Sequence, residues 1–403
     1  MKSTTYKTER LHALDSLRAI MMMLGIVLHS SNTYVVADYG ASWPLKDVAS
    51  TGLTMDWISS FVHAFRMPIF FVVAGFFAAL LFYERSYSKM IKNRINRILL
   101  PLLVFVVVLW PLVTFGFSYS NMVIANDPTP FASSLANFYE FAAFIPGHTM
   151  HLWFLYYLVL FSATSYILGL IFKNAPQLSG KISNMFSRII QKPLLKLLVF
   201  SLVTFLLLLV MDRTWVATSL SWVPDFNTYI FYAFFYFFGW ILFKSKAYLN
   251  SFLSYDRLFT TVGLIVFTGY FLSDTSNLNI ETIMAIKAIT VWLFIFGMTG
   301  LFIRYTSNHS PIMRYVSDSS YWVYLLHLPL TALLPGFLIG FALPGILKFV
   351  IVATSTASVC FLTYHYLIRP TFIGKFLNGR KYPRRIHVSH SEKTIRPQVS
   401  LDK

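Results

Sequence analysis

Ten separate stretches of this chain are apolar over enough residues to cross a bilayer as helices, because a hydrocarbon core about 30 Å thick takes about 20 residues. They run approximately over 14–35, 57–83, 98–119, 150–172, 195–212, 226–244, 258–273, 283–303, 317–339 and 345–368. The seventh is short and the second long, so these limits are expected to move by a few residues. The expected fold is all-α: a polytopic membrane protein of about ten transmembrane helices. Residues 1–369 form its integral-membrane domain, and 370–403 a basic tail that is disordered or lies on anionic headgroups. Charged residues before position 11 lead straight into a long span, with no small-residue cleavage pattern, so no cleavable signal is expected.

A formal charge of +17 raises the question of nucleic acid. The placement of the basic residues answers it. Of 33 Lys and Arg, 27 fall in the ends and alternate connections that lie on one side, including Arg85, Lys89, Lys92, Arg94 and Arg97. Only Lys46 and Arg213 lie in the opposite connections. That asymmetry is the positive-inside pattern and predicts both termini in the cytoplasm, as an even number of spans also requires. Nucleic acid needs a basic soluble face, and none is expected here. The one cysteine, Cys360, excludes an intrachain disulfide and a cysteine-based metal site.

The first span carries two ionisable residues, Arg18 and His29, eleven positions apart. That is almost three turns, so they share a helix face about 16 Å apart along the axis. Ionisable groups inside a span are costly and point to a polar path. In FVHAFRMPIFFVVAGFF the second span adds His63 and Arg66, one turn apart in the outer half. Pro68 leaves the carbonyl of Ala64 without a helical partner, and Gly75 offers close approach to a neighbouring helix. Arg94 and Arg97 in KMIKNRINRILLP are either ordinary positive-inside charge or a clamp for a phosphate ligand. HTMHLWFL places His148, His151 and Trp153 at the outer surface, where an interfacial aromatic belt accounts for His148. SDSSYWVYLLHLP places Tyr324 and His327 in the ninth span, with Ser317 or Asp318 as its cap.

No Walker A, HExxH or GxSxG motif is present, and no metal-ligand spacing. No carboxylate lies well inside a span. Arginines and histidines without carboxylates suit an anionic ligand and histidine-mediated proton transfer.

At these residues the chain resembles the acyltransferase 3 family of ten-span membrane enzymes, over residues 11–369. The likeness is carried by Arg18 with His29, the FFVVAGFF run, RINRILLP, HLWFL and SYWVYLLHLP. Within the family it looks most like members associated with succinyl transfer to osmoregulated periplasmic glucans. The resemblance implies an acyl-CoA donor, succinyl-CoA or acetyl-CoA, on the cytoplasmic side and a glycan hydroxyl outside, in a bacterial inner membrane. It gives His29 the catalytic role, as general base or brief acyl carrier, and Arg18 the donor-side role. Arg94 and Arg97 match the family's Arg-x-x-Arg element. Ala74 stands where a serine often precedes Gly75, so no hydroxyl acts there. On this reading Arg66 and His63 assist His29 as oxyanion or acyl-carboxylate ligands. His151, Trp153, Tyr324 and His327 contact substrate, and no metal is involved. The competing reading is a transporter or flippase of a lipid-linked or anionic glycan, with the same residues lining a passage.

Overall fold

The computed structural model describes residues 11–274 and 278–379. Among them the chain is helical, without strands. The helices are α1 (His12–Ser31), α2 (Leu53–Leu80), α3 (Tyr87–Arg94), α4 (Leu100–Ile124), α5 (Pro130–Ala136), α6 (Trp153–Lys173) and α7 (Pro176–Ile190). They continue as α8 (Pro193–Met211), α9 (Phe226–Lys244), α10 (Asp256–Leu272), α11 (Ile280–Thr306), α12 (Pro311–Leu333), α13 (Gly345–Thr363) and α14 (Phe372–Asn378).

Among the described residues, nine helical segments, built on α1, α2, α4, α6, α8, α9, α11, α12 and α13, are long and apolar enough to cross a membrane. The remaining expected span is α10. Its 17 residues reach about 26 Å, short of a full hydrocarbon thickness. Its contacts nevertheless run the length of its neighbours. Asp256 at its start pairs with Arg304 near the end of α11 at 2.6 Å. Near its other end Thr268 accepts from Trp57 Nε1 at 3.2 Å, and Lys287 lies over the Tyr270 ring. It therefore runs antiparallel to α11 from one end of the bundle to the other, as a short tenth crossing.

The bundle closes where backbones can touch. A Cβ on Gly75 would collide with the carbonyl of Tyr236, and one on Gly239 with the carbonyl of Val72. The expected close approach at Gly75 is thus made by α9, with a glycine on each side. Lipid tails are as apolar as leucine, so packing and not hydrophobicity holds such helices together, and small residues permit it. Around this crossing lies an aromatic core. Trp292 is wholly buried among Phe200, Phe235, Phe238 and Phe296, and its indole N–H donates to Thr204 at 2.7 Å.

Two boundaries differ from expectation. α12 starts at Pro311, capped by Ser310, whose hydroxyl accepts the Met313 N–H at 3.3 Å. Ser317 and Asp318 are therefore interior positions, and Asp318 pairs with Arg314 at 2.8 Å. Proline at the first helical position after a serine is a strong start signal. Beyond residue 369, the chain forms α14, which packs back on the bundle with Leu377 buried. Residues 1–10 and 380–403, including Lys2, Lys7, Arg10 and most of the basic tail, lie outside the described residues.

The connection from α1 to α2 is held down as a roof. Lys348 Nζ, buried on α13, pairs with buried Asp47 at 2.7 Å. Ser50 donates to the Leu343 carbonyl at 3.2 Å. Asp56 accepts the N–H groups of Val36 and Ala37 at 2.7 and 2.9 Å.

Candidate active site

Four helices carry the polar groups. On α1 one face presents Arg18, Met22, Gly25 and His29 in succession, each about one turn further along. α2 presents Phe70 and, one turn back, Arg66. α12 presents Ser320 and Tyr321, then Tyr324 and His327. The turn that opens α6 presents His151, with Phe154 and Leu155 one turn on.

The nearer residue of each set lines a cavity of about 350 Å³, with Met22, Phe70, Phe154 and Tyr321 among its walls. At its mouth lie Arg18, Arg94 and Arg97. Three arginines separated in sequence thus share one space. Arg94 ends α3, and its Nε and Nη2 are buried without a hydrogen-bond partner among the described residues. A buried guanidinium with open donors is matched by a charge-bearing ligand such as phosphate. Arg97 lies in the π-helical turn Ile95–Leu99 and donates through Nη1 to the Leu377 carbonyl at 2.6 Å. A Cβ on Gly379 would collide with this guanidinium, and its φ of +74° also favours glycine. Arg18 is salt-bridged to Asp15 at 3.3 Å, and its guanidinium lies 5.5 Å from the Phe77 ring.

One turn deeper the second residue of each set forms a compact polar group. The His29 and His327 rings lie 5.2 Å apart, and the His327 and His151 rings also 5.2 Å, edge to face. Arg66 is buried and donates through Nε to the Met21 carbonyl at 2.9 Å. Its Nη2 points at the same space as His327 Nε2: a Cβ on Gly25 would lie 2.7 Å from the first and 3.1 Å from the second. Glycine at position 25 therefore keeps that space open. Tyr324 donates to the His151 carbonyl at 2.7 Å.

Carbonyl oxygens only accept, so they fix the tautomers here. His327 Nδ1 lies 2.7 Å from the Tyr324 carbonyl and 3.1 Å from that of Val323, and therefore carries the proton. His151 Nε2 lies 3.2 Å from the Leu325 carbonyl and carries its proton likewise. The other nitrogens, His327 Nε2 and His151 Nδ1, present lone pairs, and both are buried without a partner among the described residues. His29 Nδ1 is equally unpartnered.

Above His29, Trp43 from the roof stacks on the imidazole at 5.3 Å with 19° between the planes. Its own N–H donates to Thr33 at 3.1 Å. Neither Trp43 nor Gly25 was marked by the sequence. The only hint was that the 36–56 connection is long enough to cover a cavity.

Two expected placements change, those of His151 and Trp153. His63 is exposed and makes no hydrogen bond or ring contact among those described. Three residues turn a helix by about 300°, leaving His63 about 60° away from Arg66 and next to it on the helix surface, near enough for its charge to be felt at His29. His151 is buried beside His327 and not at the outer surface. Trp153, two residues later, points into the core against Phe71 and Tyr232. His148 stays at the outer end with an exposed side chain, edge to face with the Trp110 ring 5.0 Å away, and partial desolvation there lowers its pKa.

These features define an integral-membrane protein with a buried Arg–His centre at the head of an arginine-lined cavity. Residues 11–365 match the acyltransferase 3 model, described as an acyltransferase domain, and the chain belongs to that family. It is a multi-pass O-acyltransferase. Among curated relatives it is 24% identical to glucans biosynthesis protein C of Salmonella schwarzengrund (strain CVM19633) over 389 residues, covering 93% of this chain and 96% of the relative. It is 25% identical to the protein of that name from Escherichia coli (strain K12) over 394 residues, covering 94% and 96%. No solved structure matches.

Proposed function

We propose that this enzyme moves an acyl group, succinyl or acetyl, from acyl-CoA bound on the cytoplasmic side to a hydroxyl of an extracytoplasmic glycan, in a bacterial inner membrane. The observation that carries the donor side is the cavity that places Arg94, with two open buried donors, beneath the His29 group. The basic connection containing Arg94 and Arg97 supports a cytoplasmic mouth. The glycan acceptor is supported by the name of the relatives, glucans biosynthesis protein C.

On this reading the donor's phosphates stay with Arg18, Arg94 and Arg97 while its thin arm rises between Met22, Phe70 and Phe154. The thioester then stands near Arg66, about one turn above the cavity's inner end. The acceptor oxygen forms a bond to the thioester carbonyl carbon and gives its proton to His29. The tetrahedral oxygen is held by Arg66. The C–S bond breaks, and the proton passes from His29 to the leaving sulfur, so that CoA departs as a thiol.

Arg94→Ala should insert normally and bind acyl-CoA about tenfold to a hundredfold more weakly, since hydrogen bonds to a charged group contribute about 1.5–3 kcal/mol. Titration of purified variants in nanodiscs reads this directly. Normal donor binding by the Arg18→Ala, Arg94→Ala and Arg97→Ala variants alike would reduce these charges to topology signals.

A further inference from the structure

Among the described residues the centre contains no carboxylate. Asp15, Asp56 and Asp318 are engaged at helix ends or near the mouth. An imidazole used as a base ordinarily needs a neighbour that fixes its tautomer and receives its second N–H, the part a carboxylate plays in hydrolytic triads. We infer that His327 plays this part for His29, as a positioning residue, through the lone pair on Nε2.

The geometry singles out His327 on three counts. Two backbone carbonyls of its own helix hold the Nδ1 proton, so Nε2 is an acceptor in the neutral ring. That nitrogen is buried and makes no hydrogen bond among the described residues. An acceptor without a donor in such a place loses a hydrogen bond's worth of free energy unless catalysis uses it. His327 is also the histidine whose ring neighbours His29, at 5.2 Å. The His151 ring abuts His327 on another side. With ring centres this close, a small rotation brings nitrogen to nitrogen. His29 then offers its N–H to His327 and turns its lone pair to the acceptor hydroxyl. When His29 takes the proton, the same bond strengthens, because its donor is now charged.

The inference rests on the base role proposed for His29. A purely structural role for His327 would lie in its Nδ1 bond to the Tyr324 carbonyl. Two substitutions separate the roles. His327→Asn can keep a donor at the Nδ1 position but has nothing at Nε2. His327→Gln reaches the Nε2 position with an amide whose oxygen can accept. We expect His327→Asn to lower kcat by about 10²-fold with unchanged acyl-CoA affinity and acceptor KM, and His327→Gln to recover at least about tenfold of that loss. Residues that act as a unit are not additive, so the His29→Gln/His327→Asn double variant should be no slower than His29→Gln alone.

Equal activity of His327→Asn and wild type would overturn the inference, as would a Gln variant no better than Asn or an additive double variant. Additivity would assign Nε2 to Arg66 instead. If His327→Asn does not insert, the Gln variant decides: a loss as large as that of His29→Gln overturns the proposal. A fully active His29→Gln variant would instead overturn the base reading itself.

Discussion

His29→Gln should insert and fold as the wild type does, bind acyl-CoA with unchanged affinity, and transfer acyl groups at least about 10²-fold more slowly. The glutamine fills much of the imidazole's volume beneath Trp43, so the roof that stacks on the ring keeps its support. What it loses is a group that accepts and releases a proton near neutral pH. Donor binding should survive because the three arginines of the mouth lie at the far end of the cavity, about 16 Å along α1 in the case of Arg18. His63→Ala should lose far less, since that side chain is exposed and makes none of the ring contacts that join His29, His327 and His151. Acylation of acceptor by purified variants at matched folded concentration gives the comparison. Near-normal transfer by His29→Gln together with an inactive His63→Ala would move the chemistry to another face of α2.

The largest effect on the fold is expected at the α2–α9 crossing. Gly239→Leu places a side chain where the Val72 carbonyl already lies, and Gly75→Leu does the same against Tyr236. The neighbour in each case is backbone within a packed helix and cannot rotate away. Overpacking a core costs about 1–3 kcal/mol even where side chains yield, and here the helices themselves must separate. Either variant should fail to give a monodisperse folded protein in detergent. Gly180→Leu on α7, where a Cβ would meet nothing within 4 Å, is the control and should behave as wild type. Size-exclusion profiles and thermal unfolding of the three variants check this. Wild-type stability of Gly239→Leu would mean that α2 and α9 do not touch at this point.

Helical period made part of this architecture readable in advance. Arg18 and His29 share a face because eleven residues are nearly three turns, and the structure sets them at the two ends of one polar column. Gly75 was readable because a glycine inside an apolar span has few uses other than close approach. The gathering of Arg18 with Arg94 and Arg97 depends on how α1, α3 and α12 pack, which no local pattern states. Trp43 over His29 depends likewise on a loop fixed by Asp47 and Lys348, residues 301 positions apart.

Some misplacements had a readable cause. His151 and Trp153 are neighbours in HLWFL, but two residues turn a helix by about 200°, so they face opposite ways. The start of α12 is written in Ser310–Pro311, while Ser317 and Asp318, a few residues on, are equally good cap types by composition. α14 hides in a basic stretch whose composition suggests a tail. Its end is marked by Gly379, a left-handed helix stop.

The most direct measurement of the central claim is release of free CoA by purified protein in nanodiscs, followed together with modification of the glycan acceptor. Acyl transfer predicts acceptor-dependent CoA release, one thiol for each acyl group gained by the acceptor, and loss of both signals in His29→Gln. Movement of unmodified glycan across proteoliposomes with no CoA released would contradict it, and would make the Arg–His column a passage.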